Sequence, residues 1–250
     1  MASSMTDALL ELDAEQAELD AILDTLSKEE FDLPTPAEGW TIRDQISHLA
    51  DVNEVAVDTM LGGPRSLNID AGRFDSADAF TEAGCERGRA MNVDELLEWW
   101  RASVTLQRDT FLTMDPKQRV PWGLGMAART LVTARLMETW AHAADVRAAL
   151  ELPVELTPRL RSVAWLILNA IPYAMVVAQT PIPEGRSIRL ELDANGEPWR
   201  IGPEDATDVI RGDALRFCLA GVQRMDAVAA ELVAEGPFAE LVLPRLRAYL

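Results

Sequence analysis

The chain has 250 residues, 48% of them apolar, which is enough for one large domain or two modest ones with a substantial core. Acidic residues outnumber Lys and Arg by 41 to 23, and the formal net charge of -18 gives phosphate groups nothing to attract them, so no nucleic-acid partner is expected. Cys85 and Cys218 have no Cys-x-x-Cys spacing and are predicted to be small buried residues, and the N-terminus has no apolar signal core, so the cytoplasm is the expected compartment.

The first two predicted helices have clear signals. Five leucines follow a spacing of three and four, which predicts one stripe of an amphipathic helix; they are Leu9, Leu12, Leu19, Leu23 and Leu26. Thr41 and Asp44 resemble a capping box that opens a second helix, which Gly62-Gly63-Pro64 ends. The polar stretch from there to about Ser76 is predicted to be a long loop, with a short helix after it, and long loops often lie over functional sites.

Three further long helices follow in the sequence. Asn92 and Glu95 cap the first, the next runs from Ala127 to Leu150, and Pro158 opens the last, which should kink at Pro172. The apolar part of this last helix is shorter than the roughly 20 residues that a membrane span needs, so it is predicted to be a buried core helix without a membrane partner. Helices joined in this way predict an up-and-down bundle.

The pattern changes after about residue 183. Apolar and charged residues alternate from Ile188 to Leu192, and Asn195-Gly196 favours a hairpin turn to a return strand at 199–201. The remaining predicted elements are a strand from Ala206 to Arg211 and helices from Ala214 to Val233 and from Phe238 to Leu250. The predicted fold class is therefore α+β, with a helical bundle over residues 1–182 and a small α+β domain over residues 183–250.

The two histidines of the chain lie on two different predicted helices. His142 comes four residues after Glu138, so both side chains lie on one helix face. If the second and fourth helices pack side by side, His48 completes a set of two imidazoles and one carboxylate. Such a set suits Zn²⁺ with one open position, and also Fe²⁺ or Ni²⁺. Taken singly, each histidine also fits an ordinary hydrogen-bonded residue of the core or surface.

Two segments carry a family resemblance. They are GWTIRDQISHL, residues 39–49, and RLMETWAHAADV, residues 135–146, and they resemble the DinB-like, mycothiol-dependent maleylpyruvate isomerase superfamily. In that family a Gly-Trp-(Ser/Thr) helix start leads to a ligand histidine, and a later Glu-x-x-x-His-x-x-Asp segment supplies two more ligands. The resemblance thus implies His48, Glu138 and His142 as metal ligands.

The resemblance also implies a fold and several supporting residues. It predicts a DinB-like four-helix bundle followed by a C-terminal domain similar to a sterol-carrier fold. Arg224 stands where relatives place an arginine near the active site, and would bind a substrate carboxylate or a group of the thiol cofactor; its alternative is a surface arginine. Asp145 either orients a ligand imidazole or faces solvent, and for Asp51 the solvent-facing position is favoured.

The expected function is a metal-dependent enzyme, with zinc as the favoured ion and a low-molecular-weight thiol such as mycothiol as cosubstrate. The metal would hold the thiol as thiolate for addition to a small electrophilic substrate, in an isomerase or a thiol S-transferase. Two alternatives stay open, a metal-dependent hydrolase on the same ligands and a non-catalytic protein that binds metal or a small ligand. A homodimer is compatible with the bundle, although the pattern does not fix the oligomeric state.

Overall fold

A computed structural model of the chain describes residues 4–248, which form two compact units with a division between Val154 and Glu155. The first unit is helical apart from one short β-hairpin, and the second combines helices with a four-stranded sheet. The predicted α+β fold class is confirmed. Residues 249–250, the end of the last predicted helix, lie outside the described residues.

The helices of the first unit are α1 (Met5–Leu23), α2 (Ile42–Leu61), α3 (Leu67–Asp70), α4 (Ala77–Arg89), α5 (Val93–Thr113) and α6 (Ala128–Ala149). The strands β1 (Arg119–Val120) and β2 (Met126–Ala127) form an antiparallel hairpin before α6, and short 3₁₀ turns cover Glu30–Asp32 and Ala71–Arg73. The capping boxes predicted at Thr41 and at Asn92 are both present, so the helices begin where the sequence indicates. Gly62 ends α2 in the left-handed conformation that glycine favours.

Four of these helices form the bundle that carries the site. α2 packs against both α5 and α6, α1 packs against α6, and ion pairs such as Arg101–Asp20 join α5 to α1. The shared core includes Ile46, Leu49 and Leu96, each fully buried. Burying one such side chain contributes about 1.5–3 kcal/mol, so α2 is fixed in the bundle by its whole apolar stripe.

Helix α4 lies on α2 at a crossing made by two glycines. A Cβ atom added at Gly88 would lie 1.7 Å from Ser47 Oγ and 2.5 Å from Ser47 Cβ, and one added at Gly84 would lie 3.0 Å from Asp51 Cβ. The two helices approach this closely because neither glycine carries a side chain. The crossing therefore fixes the part of α2 that carries residues 47–51.

We expect Gly88→Ala to lower the free energy of unfolding by about 1–2 kcal/mol. Alanine gains about 1 kcal/mol of helix propensity, but overpacking against the short, rigid Ser47 side chain costs up to about 3 kcal/mol, so the clash outweighs the gain. Urea denaturation measures the change. Gly72→Ala is the matched control, because a Cβ there meets no atom within 4 Å. Equal stability of the two variants would contradict the close crossing.

The second unit is built on a sheet of strand order β4-β3-β5-β6. Its elements are α7 (Leu160–Val177), β3 (Ile188–Ala194), β4 (Glu197–Ile201), β5 (Asp208–Asp213), α8 (Ala214–Gly221), β6 (Val233–Glu235) and α9 (Pro237–Val242), with a 3₁₀ turn at Leu243–Arg245. The hairpin predicted at Asn195-Gly196 joins β3 to β4, whereas β3 and β5 pair in parallel. The predicted strands are thus all present.

The predicted helix from Ala214 to Val233 is wrong beyond its first two turns. Helix α8 ends at Gly221, and Gln223 has a positive φ of 57°, which an α-helix does not accommodate. Val233 belongs instead to β6, which pairs with β5 at the edge of the sheet. The helix predicted from Phe238 is also shorter than expected, because α9 ends at Val242, just before Pro244.

Helix α7 groups with the second unit, although it lies within the predicted bundle of residues 1–182. It packs against α8 and β4, with a buried stripe that includes Val163, Ile167 and Ile171. The compact units therefore divide 28 residues before the predicted boundary at 182. Among the described residues α7 is the one helix long and apolar enough to span a membrane by length and composition, and 44% of it is buried. A single such helix is weak evidence, because the core helix of a folded unit meets the same criteria.

Candidate metal centre

His48 on α2 meets Glu138 and His142 on α6. Glu138 Oε2 lies 3.5 Å from His142 Nε2 and 3.9 Å from His48 Nε2, and the potential ligand atoms of all three residues lie within 4.8 Å of one another. The expected packing of the second and fourth long helices side by side is confirmed. Both imidazoles are buried and Glu138 is partly exposed, so the cluster lies at the edge of the bundle interior.

A chain of hydrogen bonds fixes the tautomer of His142. The Thr35 hydroxyl donates to the carbonyl of Trp40 at 3.0 Å, so its oxygen accepts from Gln45 Nε2 at 2.8 Å. The Gln45 amide therefore presents its Oε1 to His142 Nδ1, 2.5 Å away. An amide oxygen accepts only, so Nδ1 carries a proton, and Nε2 is the nitrogen that faces Glu138.

Trp40 covers one side of the two imidazoles. Its ring stacks on His142 at a centroid distance of 6.0 Å and an angle of 17°, and it lies 5.2 Å from His48. The same residue begins the turn into α2, since Thr41 is the helix cap. The turn that starts α2 therefore also places the ring of Trp40 over the site.

Glu138 is anionic in this setting. Burial raises the pKa of its carboxyl, but the neighbouring imidazoles of His142 and His48 and the positive charge of Arg135 hold that pKa well below its usual range. The centre therefore combines a fixed negative charge with two imidazole nitrogens, which is a donor set suited to a divalent transition metal.

The two supporting aspartates are both buried, so the solvent-facing alternative is wrong for each. Asp51 forms ion pairs with Arg65 at 2.9 Å and Arg87 at 3.6 Å, and so ties the segment after α2 and helix α4 to α2. Asp145 is 2% exposed on α6, three residues after His142. Its role in orienting an imidazole stays a prediction.

Arg224 belongs to the second unit. It lines a cleft of about 460 Å³ that also contains Arg245 and Arg247, and its Nη1 donates to the carbonyl of Val222 at 3.1 Å. Its role in binding a substrate or cofactor group stays a prediction. Cys85 and Cys218 are both buried, as predicted, and burial raises the pKa of the Cys85 thiol to about 12, so neither is poised as a nucleophile.

A family profile, described as the mycothiol maleylpyruvate isomerase N-terminal domain, matches residues 12–147, which contain all three residues of the centre. The chain belongs to this family. The resemblance inferred from the two sequence motifs is thereby confirmed.

Relatives match nearly the whole chain. An uncharacterized protein of Mycobacterium tuberculosis, found in two strains, is 32% identical over 241 residues, covering 96% of this chain and 93% of the relative. Two crystal structures of the mycothiol-dependent maleylpyruvate isomerase, one with a histidine replaced by alanine, match with a TM-score of 0.59 at 17% and 18% identity, covering 94% of this chain and 96% of theirs. At that identity the structural likeness shows the fold alone.

Sequence reasoning did not find Gln45, Thr35 or Arg135. Gln45 lies three residues before His48 on α2, which is one helical turn, so its position on the same face was a usable signal. Thr35 carried no such signal, because it reaches the site from the loop before α2.

We expect Gln45→Leu to weaken metal binding by about 10- to 100-fold, because the partner that orients a ligand imidazole is lost. Competition with a chromogenic chelator measures the affinity. Gln45→Glu is the matched control, since it keeps an oxygen acceptor for Nδ1 of His142 and should bind metal at least as tightly as the unchanged protein. Equal weakening in both variants would contradict the orienting role.

Proposed function

We propose that the protein is a metal-dependent enzyme that uses a low-molecular-weight thiol such as mycothiol to isomerise, or to transfer the thiol to, a small electrophilic substrate. The observation that carries the proposal is the meeting of His48, Glu138 and His142 inside the bundle of a mycothiol-dependent isomerase family. Zinc is the ion we favour, and the cytoplasm, where such thiols are kept reduced, is the compartment.

The three side chains fit a divalent ion by distance and by chemistry. Ligand atoms of a tetrahedral ion, each about 2.1 Å from it, stand about 3.4 Å apart. The separations of 3.5 and 3.9 Å from Glu138 Oε2 to the two Nε2 atoms are close to this value. A set of three protein ligands is typical of catalytic zinc sites, which keep one position open for water or substrate, whereas structural sites use four.

The residues of the chain have separate tasks in this proposal. A bound divalent metal would supply the positive charge that lowers the pKa of a coordinated thiol, which is roughly 8.5 when free. Gln45 holds the proton of His142 on Nδ1, so that Nε2 faces the site. Trp40 shields the imidazoles from water, and Glu138 contributes the negative charge.

The thiol reaction has two outcomes on the same centre. The sulfur of the thiolate forms a bond to an electrophilic carbon, whose electron pair moves to the conjugated group of the substrate. If that carbon–sulfur bond breaks again after rotation about the former double bond, the thiol is regenerated and the net reaction is an isomerisation. If the bond persists and the substrate takes up a proton, the reaction is an S-transfer.

The test is a screen of small electrophiles, maleylpyruvate among them, with zinc-loaded protein in the presence and absence of mycothiol. Conversion should require both the metal and the thiol, and should disappear after treatment with a chelator. Conversion that needs the metal but not the thiol would indicate a hydrolase instead. No conversion with any substrate would favour a protein that binds metal or a small ligand without catalysis.

A further inference from the structure

Arg135 is a fully buried guanidinium on α6, one helical turn before Glu138. Its side chain is among the largest fully buried ones, and Nη2 donates to Asn53 Oδ1 at 3.1 Å. Within residues 4–248 no carboxylate forms an ion pair with it, and its Nε and Nη1 have no hydrogen-bond partner. Two donors of a charged group are therefore open in the interior of the bundle.

Arg135 belongs to a fixed polar cluster in the interior of the bundle. Asn53 Oδ1 also accepts from Gln107 Nε2 at 2.7 Å, and Asn53 Nδ2 donates to Ser103 Oγ at 3.2 Å. These bonds set the orientation of both amides, and they leave Gln107 Oε1 buried without a donor. The cluster thus leaves two donor atoms, Nε and Nη1 of Arg135 on α6, and one acceptor atom, Oε1 of Gln107 on α5, without partners.

An arrangement of this kind is costly unless something occupies it. Arginine does not lose its proton in proteins, so Arg135 stays charged, and burying an unpaired charge is among the most unfavourable changes a folded chain can make. Glu138 is the nearest source of negative charge, but it forms no ion pair with Arg135, and metal binding would neutralise it further. A negatively charged ligand would remove the imbalance.

We propose that Arg135 binds the carboxylate of a small acid within the bundle, with Gln107 Oε1 accepting a hydrogen bond from a hydroxyl or enol group of the same molecule. Arg135 and Glu138 are about 4.5 Å apart along the helix axis, so an acid only a few carbons long reaches from the guanidinium to the metal centre. That this acid is the electrophilic substrate rests on the proposed function, whereas the carboxylate site itself does not.

The test uses sodium maleate as the probe, with the ionic strength held constant by sodium chloride. Thermal unfolding of the metal-depleted protein is followed at increasing maleate, so that no metal takes part. The melting temperature should rise in the unchanged protein, and the fitted affinity should be about 10- to 100-fold weaker in Arg135→Met, because a charge-assisted hydrogen-bond partner is lost. Arg101→Met is the matched control, since Arg101 is an exposed arginine of α5 paired with Asp20 and Asp24.

The melting temperature without maleate tests whether Arg135 has only a structural role. Without maleate, Arg135→Met should melt at or above the temperature of the unchanged protein, because an apolar side chain replaces an unpaired buried charge. Equal maleate response in the unchanged protein and in Arg135→Met would overturn the proposal. So would a variant that melts earlier and loses metal while keeping its maleate response, since Arg135 would then act only as a charge partner of Glu138.

Failure of this inference and failure of the proposed function give different results. An Arg135-dependent maleate response in a protein that takes up no metal would keep the carboxylate site and remove the proposed function. Metal- and thiol-dependent turnover without an Arg135-dependent response would do the reverse. Arg135→Lys adds a graded point, because lysine keeps the charge but loses the planar fork of donors, and it should bind maleate with intermediate affinity.

Discussion

Replacement of His142 by alanine is expected to remove essentially all bound metal from the protein. His142 supplies one of three candidate ligand atoms, and with it goes the nitrogen that the Gln45 hydrogen bond orients. Two remaining ligands from two helices form no closed catalytic site of the usual three-ligand type. Elemental analysis of protein purified without an affinity tag or chelator should find about one zinc, iron or nickel ion per chain in the unchanged protein and close to none in the variant.

The control for His142→Ala is Arg108→Ala, which removes an exposed ion pair with Asp13 between α5 and α1. Such a surface pair contributes about 0–1 kcal/mol, so this variant should keep both its fold and its metal. Circular dichroism establishes that His142→Ala is still helical. Full metal content in His142→Ala would end its assignment as a ligand, and with it the metal-dependent mechanism.

The meeting of the three candidate ligands was largely predictable because most of its signals are local. Glu138 and His142 are four residues apart on one helix. Thr41 and Asp44 form the capping box that starts the helix carrying His48. What the sequence could not state is that α2 and α6 are neighbours; the family resemblance supplied that step. The same local signals gave the helix starts at residues 42 and 93 without any tertiary information.

The features that were missed depend on contacts between distant residues. The burial of Arg135 follows from its lying opposite Asn53 and Gln107, which come from two other helices. The helix predicted through Val233 fails for a similar reason. Its residues have helical propensity, but pairing of β6 with β5, some 24 residues away, outweighs that local preference. Element boundaries that depend on strand pairing are therefore the hardest to predict from this sequence.

A second large effect is expected at Asp208, the buried carboxylate of the second unit. Its Oδ1 accepts from the backbone N–H groups of Phe238 and Ala239 at 2.8 and 3.3 Å, so it caps α9 from strand β5, and its Oδ2 accepts from Thr207 and Arg186. Asp208→Ala leaves two buried N–H groups without partners, at about 1–3 kcal/mol each. We therefore expect a loss of about 3 kcal/mol in the unfolding free energy of this unit, seen as faster hydrogen exchange in peptides from β5 and α9.

The pH dependence distinguishes the charge of Asp208 from its geometry. Burial raises the pKa of this carboxyl. The hydrogen bonds from Thr207, Phe238 and Ala239 and the charge of Arg186 together lower the pKa by more than burial raises it, so the net pKa lies below its usual value of 3.8. A depressed pKa means that the charge stabilises the fold above the unfolded-state pKa, and that this contribution is lost as the pH falls through the folded-state pKa. Asp208→Asn keeps an oxygen for the α9 cap but has no charge to titrate. The unfolding free energy of Asp208→Asn should therefore lie below that of the unchanged protein by a constant amount from pH 7 to about pH 5, and this difference should shrink below about pH 4. A difference that does not change with pH would show that geometry alone stabilises the cap.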